Sequence, residues 1–232
     1  MLPTLFNGWM DVLFPSICLC CDGRLAEGEV TICGFCKLYR FEPADCRTGV
    51  LHSGLLPDHI LFRLALWQLT PGSELQHLLH KLKYSQLFEL GVDLGRELGR
   101  LVQPVTASLG GGSVFEPVLV SVPLHRGRHR ERGYNQAAAI CEGFSHTTGW
   151  TVLPEGRILR REYTASQTGL NIHERIDNVK GVFDTGDLTF TPYELPVIVD
   201  DVFTTGATTL ELSMALRTAG ARRVGIATVA EA

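Results

Sequence analysis

Pro196, Val197, Ile198, Val199, Asp200, Asp201, Val202, Phe203, Thr204, Thr205, Gly206, Ala207, Thr208: these thirteen consecutive residues decide how the chain is read. Val197 to Val199 form a short β-branched run, the pattern of a buried strand in a parallel sheet. Two adjacent carboxylates follow, and then a turn of small polar residues. From about Thr208 a helical pattern takes over through Leu210, Met214, Ala215 and Leu216, and it stops at Gly220, a residue type suited to the position after a helix. Thr208 with Glu211 three places on matches a capping box.

A strand, a small-residue loop and a helix in that order put a ligand at the carboxyl edge of a sheet, over a helix N-terminus. The helix dipole and unpaired N–H groups there favour an anion, and threonine hydroxyls add donors. Gly206 permits a positive φ and close backbone approach. Asp200 and Asp201 suit another part of the same ligand, because carboxylates accept from vicinal hydroxyls. An anion on one side and a diol on the other describe a ribose 5-phosphate. The plainer alternative is an ordinary strand–turn–helix with acidic residues at the strand end.

The chain has 232 residues, 45% of them hydrophobic and 20% charged, enough for one medium α/β domain plus a small appendage. No apolar run approaches the roughly eighteen residues that span a bilayer, so no membrane insertion is expected. Residues 1–17 are apolar but carry Asp11 and no Lys or Arg, unlike the charged start of a signal peptide, so a cytoplasmic location is expected. The net charge of −4 argues against a broadly nucleic-acid-coated surface. Residues 122–180 nevertheless hold nine Lys or Arg against six Asp or Glu, which leaves −7 on the remainder. An acidic body with one basic region fits a localised polyanion site.

Six of the seven cysteines lie in the first 46 residues. Cys18 with Cys21 and Cys33 with Cys36 make two C-x-x-C pairs with eleven residues between them, a set able to close a tetrahedral Zn²⁺ site in a segment too small for its own core. Four thiolates leave no open coordination position, so the zinc is expected to be structural. A disulfide framework is the competing reading, disfavoured in a cytoplasmic chain. Cys20 is a spare, and Cys46 and Cys141 read as buried thiols.

Between these landmarks the chain reads as follows. Residues 51–57 look like a linker, 61–69 a strand, 73–84 and 87–101 two helices with leucine stripes, and 104–116 a loop containing Gly110, Gly111 and Gly112. His77, His80, Lys81 and Lys83 read as a solvated helix face, with a binding role for Lys81 or Lys83 as the other reading. Val118 to Val122 is a strand, followed by Pro123, Leu124, His125, Arg126, Gly127, Arg128, His129, Arg130, Glu131 and Arg132. So many cations at a strand end need anions or water. The loop is either solvated or a pyrophosphate or DNA-phosphate site beside the Asp200–Thr208 loop. An alanine-rich helix then runs to near Gly149, with a short strand at 151–153. The polar stretch from Arg157 through 179 has the character of a lid, and Val224 to Val229 is the last strand.

Taken together, these pieces resemble the ComF (GntX-like) family: an N-terminal zinc-knuckle segment, here expected at residues 1–50, followed by a type I phosphoribosyltransferase-like domain at 51–232. The likeness rests on the two cysteine pairs, Leu82-Lys-Tyr84, Val122-Pro-Leu-His125, Arg132-Gly-Tyr-Asn-Gln136, Arg160 with Gln167, Arg175 with Asn178, and the Asp-Asp-x-x-Thr-Thr-Gly-Ala-Thr loop. It implies an α/β fold, a parallel sheet flanked by helices. Relatives commonly carry further cysteine pairs after the second; here only Cys46 remains, so one zinc is expected.

The resemblance also implies a ligand, phosphoribosyl pyrophosphate (PRPP) with Mg²⁺. Asp200 and Asp201 would face the ribose hydroxyls, and Thr204, Thr205, Gly206, Ala207 and Thr208, with Val202 and Phe203 at the strand end, would complete the phosphate loop. Pro123, Leu124, His125 and Arg126 would form the pyrophosphate loop, where the wider superfamily often has a non-proline cis peptide. Arg160, Arg161, Gln167, Arg175 and Asn178 would belong to a flexible loop, with Asp200, Asp201, Arg132 and Arg175 as the catalytic set. The family's association is with natural transformation, that is, uptake of single-stranded DNA, and with helicase and recombination-mediator partners. Phosphoribosyl transfer to an unidentified acceptor is one expectation; the alternative is a non-catalytic PRPP sensor or single-stranded-DNA-binding accessory protein.

Overall fold

The computed structural model describes residues 15–45, 56–109, 115–160 and 181–232. In chain order its elements are α1 (Gly34–Tyr39), β1 (Ile60–Gln68), α2 (Glu74–Tyr84), α3 (Phe88–Leu109), β2 (Glu116–Ser121), α4 (Arg126–Arg132), α5 (Gln136–Thr148), β3 (Thr151–Val152), β4 (Leu159–Arg160), β5 (Phe183–Asp184), β6 (Glu194–Phe203), α6 (Ala207–Thr218) and β7 (Val224–Glu231). Five strands make one parallel sheet in the order β1-β7-β6-β2-β3, and β4 and β5 form a small antiparallel pair. The expected α/β architecture, a parallel sheet flanked by helices with a cysteine cluster at its N-terminal side, is what the chain forms.

Alternating strand positions explain why the sheet needs cover on both faces. Leu119, Val197, Val199, Ala227 and Val229 share a core with Leu94 and Leu98 of α3 and Ile140 and Phe144 of α5. Their neighbours Val120, Ile198 and Ile226 pack with Leu212 and Leu216 of α6 and with Phe183 of β5. α3 and α5 approach so closely that glycine is required between them. A Cβ on Gly95 would stand 2.0 Å from the Ile140 carbonyl oxygen, and one on Gly143 would stand 1.8 Å from that of Val92.

Two boundaries depart from the expectation. The helix expected to end at 101 continues to Leu109, with Pro104 inside it. Pro104 is exposed, so water can take the carbonyl that its missing N–H leaves unpaired. The stretch expected as loop from 104 is thus helical as far as Leu109, and Gly110, Gly111 and Gly112 lie outside the described residues. The arginine-rich loop is also largely helical, since α4 occupies Arg126–Arg132. No cis peptide bond occurs among the described residues, the 122–126 stretch included.

The cysteine-bearing segment sits on the sheet's α3 side. Cys18, Ile32, Cys36 and Phe41 are buried in the same core as β1, α2 and α3, and the Phe41 ring meets Trp67 edge-on at 5.0 Å. A buried polar anchor accompanies this packing. Asp93 of α3 accepts from the Thr31 hydroxyl at 2.7 Å and from its N–H at 3.2 Å, and pairs with Lys37 at 3.1 Å. Among the described residues no helix is long and apolar enough to cross a membrane.

The connections also decide where a ligand can sit. β2 leads through α5 to β3 on one side, whereas β6, its direct neighbour, leads through α6 to β7 on the other. The chain leaves adjacent strands in opposite directions, which opens a crevice at the carboxyl ends of β2 and β6.

Candidate functional site

β6 outruns β2 at this crevice. Their pairing ends at Ser121 opposite Val199, and the Val122 N–H still reaches the Val199 carbonyl at 3.0 Å before Pro123 turns the chain away. On its other edge β6 keeps pairing with β7, Val202 with Ala230 and Phe203 with Glu231. Asp200 and Asp201 therefore lie on a strand held from one side only, where the crevice begins.

The two carboxylates have different surroundings. Burial, and then the negative charge of Asp201 beside it, hold the Asp200 carboxyl well above the usual aspartate range. Its Oδ1 accepts the Asp201 N–H at 2.9 Å. Asp201 Oδ2 lies 2.7 Å from Lys83 Nζ at the end of α2. Lys83, expected on a solvated face, is half-buried and neutralises one of the pair. A contact between residues so far apart in sequence leaves no local signal, although Leu82-Lys-Tyr84 already stood among the marks of the resemblance.

The loop after β6 is built as expected except at its cap. Gly206 has φ +73°, the left-handed region, and a Cβ there would meet the Phe203 ring at 2.4 Å. The glycine is thus demanded by the loop's seat on Phe203 as well as by its conformation. The Arg63 guanidinium covers that ring at 4.7 Å and pairs with Glu231, which fixes the seat from below. The helix starts at Ala207 with Gly206 as its cap, so the capping box expected of Thr208 and Glu211 does not form. Instead Thr205 Oγ1 accepts from the Ala207 N–H at 3.4 Å, and the Thr209 hydroxyl donates to the Gly206 carbonyl at 3.1 Å. Thr204, Thr205 and Ala207 are exposed and Thr208 is half-buried.

Two clefts flank the crevice. One, of about 410 Å³, is lined by Ser121, Pro123, Leu124, His129, Leu153 and Arg160, among others. His125 closes the turn leading out of it, its Nδ1 accepting from the Gly127 N–H at 3.2 Å. The Asn135 side chain ties the same turn down by donating to the Val122 carbonyl at 3.2 Å while capping α5. Arg160 also lies over the Phe183 ring at 5.6 Å. The other cleft, of about 540 Å³, lies between α2, α4 and β6, and Arg128, Arg132, Lys83 and Val202 line it. Arg132 donates to Gln136 Oε1 at 2.8 Å. Asp200, Asp201 and the 204–208 loop line neither cleft. Arg161, Gln167, Arg175 and Asn178, and the side chain of Arg126, lie outside the described part of the structure.

The four cysteines of the two pairs converge as expected. Their sulfurs lie within 4.8 Å of one another, Cys18 to Cys36 at 3.9 Å and Cys21 to Cys33 at 3.7 Å. Cys18 Sγ accepts the N–H groups of Cys20 and Cys33. Burial opposes its thiolate, yet these backbone donors prevail and bring it down to about 7. Burial and the crowding of the neighbouring thiols push Cys36 up. With Cys18 brought down while burial pushes Cys33 and Cys36 up, the cluster is a set that a dication would complete. This four-sulfur cluster can hold a zinc ion. Cys20 faces away to Glu74, 3.2 Å from its Oε2, and burial first, then Glu74, raise it to about 11. Cys141 is buried under the sheet, and Cys46 lies outside the described residues.

No family model matches the chain. The DNA utilization protein YhgH of Escherichia coli (strain K12) is 31% identical over 227 residues, which cover 91% of this chain and 95% of that protein. YhgH of Salmonella typhimurium is 31% identical over 229 residues. Competence protein F of Haemophilus influenzae is 34% identical over 111 residues, 47% of each chain. With a paired-cysteine cluster seated on a parallel sheet, and a YhgH match running nearly end to end, the chain belongs to the ComF family.

Proposed function

We propose that this protein serves DNA utilization, in the sense of DNA uptake by competent cells, through a site for PRPP and Mg²⁺ at the β2–β6 crevice. Its similarity to the DNA utilization protein YhgH and to competence protein F supports the first half. One observation carries the second: β6 delivers two adjacent carboxylates and then the exposed Thr204–Thr205 turn to the N-terminus of the twelve-residue α6. An anion at that helix end and a diol at the carboxylates are the two ends of a ribose 5-phosphate.

In this reading Asp200 and Asp201 accept the ribose hydroxyls, and the 204–208 loop donates to the 5-phosphate. Pro123 to Arg126 border the pyrophosphate, with Arg132 and Arg175 neutralising it. Bound Mg²⁺ would screen the pyrophosphate charge beside the aspartates and assist its departure. The protein's part in a phosphoribosyl transfer is then positioning and electrostatics, with residues 160–178 excluding water. The cysteine cluster's zinc is structural.

The test is calorimetry of PRPP with Mg²⁺ on wild type and on Asp200→Asn with Asp201→Asn. Saturable binding that the double variant weakens at least tenfold is expected. Undiminished binding in the variant, or none in wild type, overturns the assignment.

A further inference from the structure

The cleft between α2, α4 and β6 has a composition of which the sugar-phosphate reading uses Arg132 alone. Three cations line it, Lys83, Arg128 and Arg132, against the single carboxylate of Glu131. His80, Tyr84 and Gln76 add two rings and an amide, and Leu69, Leu79 and Val202 add apolar wall. The rings are already organised. His80 and Tyr84 lie 4.6 Å apart at 38°, and the Arg132 guanidinium sits over Tyr84 at 5.6 Å. His80 and Arg132 thus both pack on Tyr84, and the His80 ring is exposed.

Each feature narrows the ligand. An inorganic anion has no use for rings and an apolar wall, and a purely apolar ligand has none for three cations. Asp201 already offsets Lys83 and Glu131 offsets another charge, so the local surplus is about one positive charge. That suits one phosphate group rather than the charge ladder of a duplex. A flat π-system on a ring–guanidinium cluster beside one phosphate is the chemistry of a nucleotide. A volume of about 540 Å³ lies in the ordinary range for such ligands.

We propose that this cleft binds one nucleotide unit, its base laid on the exposed His80 ring and its phosphate held by Arg128 and Lys83. Glu131 and Gln76, which also line the cleft, would read the polar edge of the base. The unit is either a free nucleotide or one residue of a single strand. The proposal does not depend on PRPP binding, whose own test turns on Asp200 and Asp201.

The experiment titrates the zinc-loaded full chain with thymidine 5′-monophosphate, with deoxyribose 5-phosphate and with a fluorescein-labelled twelve-residue oligothymidylate. His80→Ala and Arg128→Gln probe the cleft. Arg217→Gln on α6, across the sheet, makes the same charge change elsewhere, and melting curves verify that each variant is folded. At least one base-containing probe should bind saturably, each cleft variant should weaken it by about tenfold, and Arg217→Gln by less than twofold. An oligonucleotide that binds more tightly than the monophosphate, with a steep salt dependence, assigns the site to a strand; equal affinities assign it to free nucleotide. The proposal is overturned if neither base-containing probe saturates wild type, if both cleft variants bind like wild type, or if deoxyribose phosphate binds as tightly as the monophosphate.

Discussion

Asp200 is the residue whose situation needs a functional reason. It is half-buried beside a second carboxylate, and the nearby ammonium of Lys83 sits on Asp201, not on it. Burial, followed by the Asp201 charge, raises its folded-state pKa well above the ordinary 3.8. The sign follows from linkage. The folded state binds the proton more tightly than the unfolded chain, so stability is fully present below about pH 3.8 and declines as pH rises through the folded-state value. At neutral pH Asp200 therefore burdens the fold, as ligand-binding groups often do. Asn keeps an Oδ1 to accept the Asp201 N–H and carries no charge. Asp200→Asn should accordingly melt at a higher temperature than wild type at pH 7 to 8, and the gap should narrow as the pH approaches 4. Melting curves across that range check it, and a variant that is less stable at pH 7 contradicts it.

At the scale of elements, the α3–α5 pair sets how precisely the crevice is framed, because α5 carries the turn that Asn135 ties to Val122. Gly91, Gly95 and Gly99 recur every four residues on α3, where a Cβ would meet Ala139, Ile140 and Thr147 of α5 in turn. On propensity alone Gly95→Ala should favour the helix by about 1 kcal/mol. Here the added methyl would stand 2.0 Å from a backbone carbonyl oxygen, so the helices must separate. The expected outcome is a net loss of about 3 kcal/mol, read as a lower urea midpoint, and an unchanged or raised midpoint would refute the close-packed reading. This interface also marks where legibility in the sequence ended. The β6–loop–α6 unit was readable because a β-branched run, two acids and a small-residue turn are local patterns, and the leucine stripes revealed α2 and most of α3. The glycine seam was not, since glycine spacing in a helix resembles mere weakness until the partner helix is in place. Pro104 suggested a helix end because its tolerance depends on which side faces water. The Lys83–Asp201 pair and the cluster of His80, Tyr84 and Arg132 were invisible for a related reason, being contacts across elements rather than spacings within one.

For the whole molecule, the question is how the cysteine cluster belongs to the rest. The two C-x-x-C pairs were legible from spacing, and they suggested a metal segment ahead of a separate domain. The core runs through both. Cys18 and Cys36 are buried with Leu75, Leu78 and Leu94, Phe41 packs on Trp67, and Asp93 grips Thr31 and Lys37. A metal that organises 18–36 therefore stabilises β1, α2 and α3 as well, and its removal should be felt by the sheet. Binding at a concentration a thousandfold above the dissociation constant contributes about 4 kcal/mol, which for a chain of this size corresponds to about 10 °C. Stripping zinc with a chelator, or replacing Cys33 with Ser, should lower one shared melting transition by about that amount, with about one equivalent of metal released by the wild type. A separate low-temperature transition, with the main one unmoved, would mean that the cysteine segment folds on its own account and only leans on the sheet.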